Sequence, residues 1–150
     1  MTRLEDPFQS PIEDDDDPEL DYFEIRAMPV LWESQADKDN ARDATEYLAM
    51  FKRNKNAARI ILDLRNGKLV TFKAKDILRA SRLDPVPVDN EHVRIALDLI
   101  AQGIPLTPVY LLRGKLKQGV PVVIADGYHR VSAAYWTSPS TKVSAYIARP

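Results

Sequence analysis

From residue 40 onward, apolar positions recur three and four apart, the spacing that lays one apolar stripe along a helix. Ala44, Tyr47, Leu48 and Phe51 form such a stripe. Asn40 before them is a capping residue type, so a helix is predicted over about 41–53. Ala57, Ile60, Ile61 and Leu64 predict a second helix over 56–65, stopped by Asn66-Gly67, where glycine accepts a left-handed backbone. Leu69–Lys73 reads as short and extended, and Asp76–Ser81 as a turn or two of helix before the proline-rich stretch Asp84–Val88. Asp89 or Asn90 opens a helix with Val93, Ala96, Leu97 and Ile100 inward. Gly103 ends it and Pro105 prevents its resumption. Leu106–Leu112 predicts a strand, Gly114–Gly119 a polar turn, and Val120–Ala125 a strand whose unbroken apolar run suggests burial on both faces. Asp126-Gly127 breaks the chain direction. Tyr128–Trp136 is helical, Ser138-Pro139-Ser140 closes it, and Lys142–Ala148 alternates apolar and polar as a last strand. Helices and strands interleave, which predicts a mixed α+β fold, and the chain shows no internal repeat.

The first 33 residues follow another pattern. Residues 1–19 carry three prolines around the run Asp14-Asp15-Asp16-Asp17 and too little apolar surface to offset chain entropy, so an acidic disordered tail is expected there. Residues 20–33 turn apolar and contain Pro29. They read as an extended arm that either docks on the body or grips a second copy in a homodimer. Residues 20–150 then make one domain, with a helical extension at about 40–66.

Composition narrows the chemistry. The 150 residues are 45% apolar and 29% charged, with no cysteine and two histidines, His92 and His129. Disulfides, thiolate metal sites and cysteine catalysis are excluded, and a multi-histidine cage is not expected. No apolar run reaches membrane-spanning length. The acidic N-terminus does not read as a secretory signal, and a cytoplasmic location is expected. The formal net charge of −1 hides an asymmetry. Residues 1–33 hold 11 Asp/Glu against 2 Lys/Arg, whereas residues 52–82 hold 10 Lys/Arg against Asp63 and Asp76 alone. This is either a solubilising tail beside ordinary solvated helix faces, or a basic surface for an anionic partner with an acidic segment that competes for it.

The most informative segment runs from Val122 to Ala134. A buried strand delivers a sharp Asp126-Gly127 turn and a helix begins at once. The free N–H groups of a first helical turn, with the positive end of the helix dipole, favour an anion. Gly127 would let a ligand approach the backbone. Arg130 in that turn opposes the dipole, and a bound phosphate would resolve the conflict. The structural alternative is that Asp126 caps the helix and pairs with Arg130 while His129 packs on Tyr135 or Trp136.

Asp126-Gly127-Tyr128-His129-Arg130 with Ala133-Ala134 resembles the signature of the ParB/sulfiredoxin superfamily. The helix ending Ile100-Ala101-Gln102-Gly103, the entry Ile104-Pro105-Leu106-Thr107-Pro108-Val109 and the last strand are similar to that family's flanking order over about residues 75–148. The nearest likeness is to small stand-alone bacterial ParB-like proteins. The resemblance implies a small sheet flanked by helices, with nucleotide phosphate (ATP or CTP with magnesium) bound at Gly127, Tyr128, His129 and Arg130. It implies Asp126 as a catalytic or magnesium-binding residue and His129 as a catalytic one. In sulfiredoxins the catalytic cysteine precedes the His-Arg pair; Tyr128 stands there in this chain, so sulfinic-acid reduction is excluded. No helix-turn-helix domain follows, so sequence-specific DNA partition is not expected.

Other residues are weaker candidates. His92 follows Asp89-Asn90-Glu91 at a helix start, in a region that the resemblance implies faces the same cleft; Glu91 could then be a general base or a water-mediated magnesium ligand, and both could instead be a solvent-facing helix start. Lys73 and Lys75 could reach phosphate oxygens, and Thr107 and Ser132 could touch a ligand. Three functions therefore compete: nucleotide or phosphate binding with phosphoryl transfer or hydrolysis, a non-catalytic nucleic-acid or regulatory binder using residues 52–82, and an interaction protein with a degenerate site.

Overall fold

α1 (Lys38–Leu48) starts earlier than its apolar spacing indicates. Its cap is Asp37, not Asn40. The Asp37 carboxylate accepts the Asn40 N–H and the Asn40 side chain accepts the Asp37 N–H, each at 3.0 Å, a reciprocal capping box. Asn40 is drawn inside and buried. The helix closes at Leu48, so Ala44 and Leu48 are buried but Phe51, past the last turn, is exposed and meets Tyr47 ring to ring at 5.3 Å. The computed structural model describes residues 28–150, so the acidic segment 1–19 and the first part of the arm, 20–27, lie outside the described residues.

α2 (Asn54–Asn66) buries Ala57, Ile60, Ile61 and Leu64, the face its spacing predicts. It stops differently. Gly67 is extended (φ −75°, ψ 170°), not left-handed, and its N–H bonds the Leu64 carbonyl. β1 (Val70–Lys73) passes directly into α3 (Ala74–Ser81), and α4 (Glu91–Ala101) begins at Asn90, whose side chain accepts the His92 and Val93 N–H groups at 2.9 and 3.2 Å. β2 is shorter than predicted, Val109–Leu112, because Pro105 and Pro108 interrupt the donors ahead of it. Leu106 makes only a bridge to Trp32. β3 (Val123–Asp126) also starts late. Lys115 and Val120 close a turn around a short 3-10 helix (Leu116–Gln118), and Pro121 then offers no N–H. α5 (Tyr128–Thr137) and β4 (Lys142–Ala148) follow.

The sheet order is β1-β4-β2-β3. The central pair β4–β2 is parallel and the two outer pairs are antiparallel. This corrects the reading of β3, which is an edge strand with half-buried ends; β2 is the strand buried throughout. On one face Tyr110, Leu112, Ala125, Tyr146 and Ala148 pack under α1 and α2. On the other, Val109, Leu111, Ile124, Val143 and Ala145 pack under α3 and α5. α4 lies outside α5, with Val93, Leu97 and Ile100 in one cluster with Ala133. α5 is thus covered on two sides, which is why Val131, Ser132, Ala133 and Ala134 are all buried. Small side chains there let a sheet and a helix approach one element closely.

Residues 28–33 lie on the chain's own body. Met28, Val30 and Trp32 pack against the α4–α5 cluster, and the Trp32 Nε1–H donates to the Lys142 carbonyl at 3.0 Å. Glu33 N–H and Leu106 N–H bond the Leu106 and Leu31 carbonyls.

Gly127 joins β3 to α5 with φ 108°, a conformation open to glycine. Its reason differs from the expected ligand approach: a Cβ built there would lie 2.4 Å from Val109 Cγ1 and 2.8 Å from Arg130 Nη2, inside the protein. Gly127→Ala is expected to lower unfolding free energy by about 2–4 kcal/mol, from strain and overpacking together, as read by urea denaturation.

Candidate functional site

Asp126 ends β3 opposite Tyr110 on β2. One turn into α5, Arg130 reaches back and donates from Nη2 to Asp126 Oδ2 at 2.8 Å; the same nitrogen lies 3.2 Å from the Pro108 carbonyl. Asn40 Nδ2 from α1 donates to the same Oδ2 at 3.0 Å. The two charged side chains are only 13% (Asp126) and 18% (Arg130) exposed, so the pair is largely withdrawn from water. Arg130 Nε is buried with no hydrogen-bond partner among the described residues. The guanidinium expected to greet a phosphate is therefore held by the chain's own carboxylate.

Asp126 does not cap α5. Gly127 is the cap residue, and no side chain satisfies the first-turn amides. His129 sits in that turn, and it does not pack on Tyr135 or Trp136, which meet each other edge to face at 5.4 Å. Its ring partners are His92, 5.0 Å away and tilted by 51°, and Tyr128 at 6.2 Å. The starts of α4 and α5 thus bring the two histidines together. Burial lowers the His129 pKa below the ordinary 6.5; His92 and Arg130 lower it further and Asp126 opposes them.

A cleft of about 470 Å³ opens here, walled by α4, α5, the Pro105–Thr107 loop and Asp43 of α1. His92, His129, Arg130, Asp126, Gly127 and Thr107 line it. The other candidates fall elsewhere. Glu91 is exposed and does not line the cleft. The Tyr128 hydroxyl donates to the Asp84 carbonyl, and burial followed by the Asp84 charge raises its pKa. Lys73 and Lys75 stand at the β1–α3 junction and do not line the cleft. The Ser132 hydroxyl is internal, donating to the Tyr128 carbonyl and accepting the Val86 N–H. Asp43 and the buried Asn40 are additions to the expected set. Asn40 read in the sequence as a helix cap, and no pattern links it to a residue 86 positions later.

Asp126 Oδ2 serves Arg130 and Asn40, and among the described residues no group of three or more His, Cys, Asp or Glu side chains could hold a metal ion.

Comparison of the chain with family models, curated proteins and solved structures finds no match.

Two outcomes follow from this geometry. Arg130→Ala strands the Asp126 carboxylate in a semi-buried site and is expected to cost about 2–3 kcal/mol, with Asp126→Asn in the same chain recovering part of it in denaturant unfolding. The His129 pKa is lower folded than unfolded, so the unfolded chain takes up the proton first. Its contribution to stability is whole above pH 6.5 and falls as pH drops below that value. His129→Gln should flatten this acid-side decline in thermal melts.

Proposed function

We propose that the α4–α5 cleft binds a small phosphate-bearing ligand in the cytoplasm, a nucleotide such as ATP or CTP being the first class to test. The observation that carries this reading is the convergence of His92, His129 and the uncapped first turn of α5 on one cleft. Its volume, about 470 Å³, falls in the range of small-molecule sites.

Charge decides how such a ligand would be held. Among the cleft residues, Asp43 and Asp126 oppose Arg130, so the unprotonated cleft is not electropositive. A phosphate needs more positive charge than Arg130 alone supplies, and His129 provides it by taking up a proton as the anion enters. The first-turn amides contribute partial positive charge that does not titrate. For hydrolysis or phosphoryl transfer, His129, protonated as the anion enters, is the cleft residue suited to donate a proton to the leaving oxygen. Asp126, committed to Arg130 and Asn40, instead fixes the turn.

That clasp favours one alternative, an interaction protein in which the turn is purely structural. The nucleic-acid reading gains less. Of the basic residues of 52–82, Lys55, Arg59 and Arg65 lie on α2 and Lys75 and Arg79 on α3, helices that cover opposite faces of the sheet, so the segment does not form one basic stripe.

Binding of ATP or CTP, followed by calorimetry, should be proton-linked. Affinity should rise as pH falls from about 8 to 6, by up to about tenfold per pH unit for each proton taken up. The His92→Gln/His129→Gln chain should lose that dependence. No heat and no thermal stabilisation at millimolar nucleotide, at either end of the range, rejects the reading in favour of the interaction protein.

A further inference from the structure

A second cleft, of about 640 Å³, lies between the first turn of α1 and the end of α2, over the sheet face those helices cover. Tyr110 and Tyr146 line it from neighbouring strands in parallel register, their rings edge to face at 5.7 Å. Tyr146 donates a long hydrogen bond, 3.4 Å, to the Ser34 carbonyl. Tyr110 is 2% exposed, and its hydroxyl has no hydrogen-bond partner among the described residues. The hydroxyl is not sealed off from water, so its O–H can donate to an acceptor that enters the cleft.

Lys38, Arg65 and Lys68 line the same cleft, and none makes an ion pair or a side-chain hydrogen bond among the described residues. The end of α2 explains why cations are tolerated there, since helix C-termini favour them. It does not consume their charge. The cleft's one acid among the described residues, Asp37, spends its carboxylate on the cap of α1. Free donors therefore exceed free acceptors, the reverse of the histidine cleft.

We propose that this cleft binds a small dianion, a phosphate monoester or a dicarboxylate, with Arg65 and Lys68 on its charge and the Tyr110 hydroxyl donating to it. Guanidinium matches both oxyanions in geometry. Burial, then Tyr146, raises the Tyr110 pKa, which preserves the phenol as a donor; Arg65 acts the other way, and Asp126 and Asp37 add to the rise. No histidine lines this cleft, so its binding is flat between about pH 6 and 8 once the probe is fully ionised. The proposal does not depend on the function assigned to the α4–α5 cleft.

The test is titration of the full chain with inorganic phosphate and, separately, succinate at low salt, followed by two-dimensional amide NMR. Saturable shifts are expected at Gly67 and Lys68. Tighter binding of phosphate identifies an ester, and tighter binding of succinate a dicarboxylate. Arg65→Gln/Lys68→Gln should weaken the better probe by at least about tenfold. Tyr110→Phe, which keeps the ring, should weaken it several-fold. His92→Gln/His129→Gln should leave these shifts in place. Neither probe moving Gly67 or Lys68, or the shifts persisting unchanged in the Arg65/Lys68 chain, overturns the proposal.

Discussion

One carboxylate oxygen, Asp126 Oδ2, receives Arg130 from α5 and Asn40 from α1. Those helices approach the sheet from different sides, and β3, which carries Asp126, is its edge strand. An edge strand has a ladder on one side only. The shared oxygen fastens that strand to both helix layers at the point where the chain turns into α5. The left-handed Gly127, its close approach to Val109 and the reach of Arg130 back across one helical turn all serve the same junction.

The junction also sets the chemistry of the cleft beside it. With its charge matched internally, Arg130 orients the turn, and charge that responds to solvent conditions passes to His129. The opposite arrangement holds under α1 and α2. There the acid is taken by a helix cap and the cations are left unmatched. Tyr110 separates the two regions. It pairs with Asp126 across the β2–β3 ladder, and its side chain opens on the cationic cleft. Asp126 is therefore close enough to raise the phenol's pKa while it anchors Arg130.

The helices and β4 were legible because their apolar residues repeat at the period of the element. The buried stripe of α2, the inward face of α4 and the limits of β4 all appear in the chain as a local rhythm. The errors have local causes too. Apolar residues do not show where a strand's ladder starts, and prolines 105, 108 and 121 trimmed β2 and β3. An unbroken apolar run does not distinguish an inner strand from an edge strand covered by helices, so β3 read as a strand buried on both faces. At the site, residues within one turn of each other were readable, including the Asp126–Arg130 pair. His92 was expected at the cleft of His129, and it lines it. Asn40 and Asp43 depend on how separate helices pack, and no spacing encodes that. The tyrosine-lined cleft was invisible for the same reason: Tyr110 and Tyr146 read as strand residues until β2 and β4 are laid side by side.

The sheet's connectivity has a temporal side. β1 has a single neighbour in the sheet, β4, which is also the partner that joins it to β2 and β3. A ribosome delivers β1 long before β4, so the early strand must leave the exit tunnel and wait, unpaired, while its future partner is still being translated. Loop closure over that span is slow compared with helix formation. The helices and the local β2–β3 pair can form as they emerge, but β1 joins that pair only through β4, and nascent chains stalled before residue 142 would hold the parts of this fold without its centre.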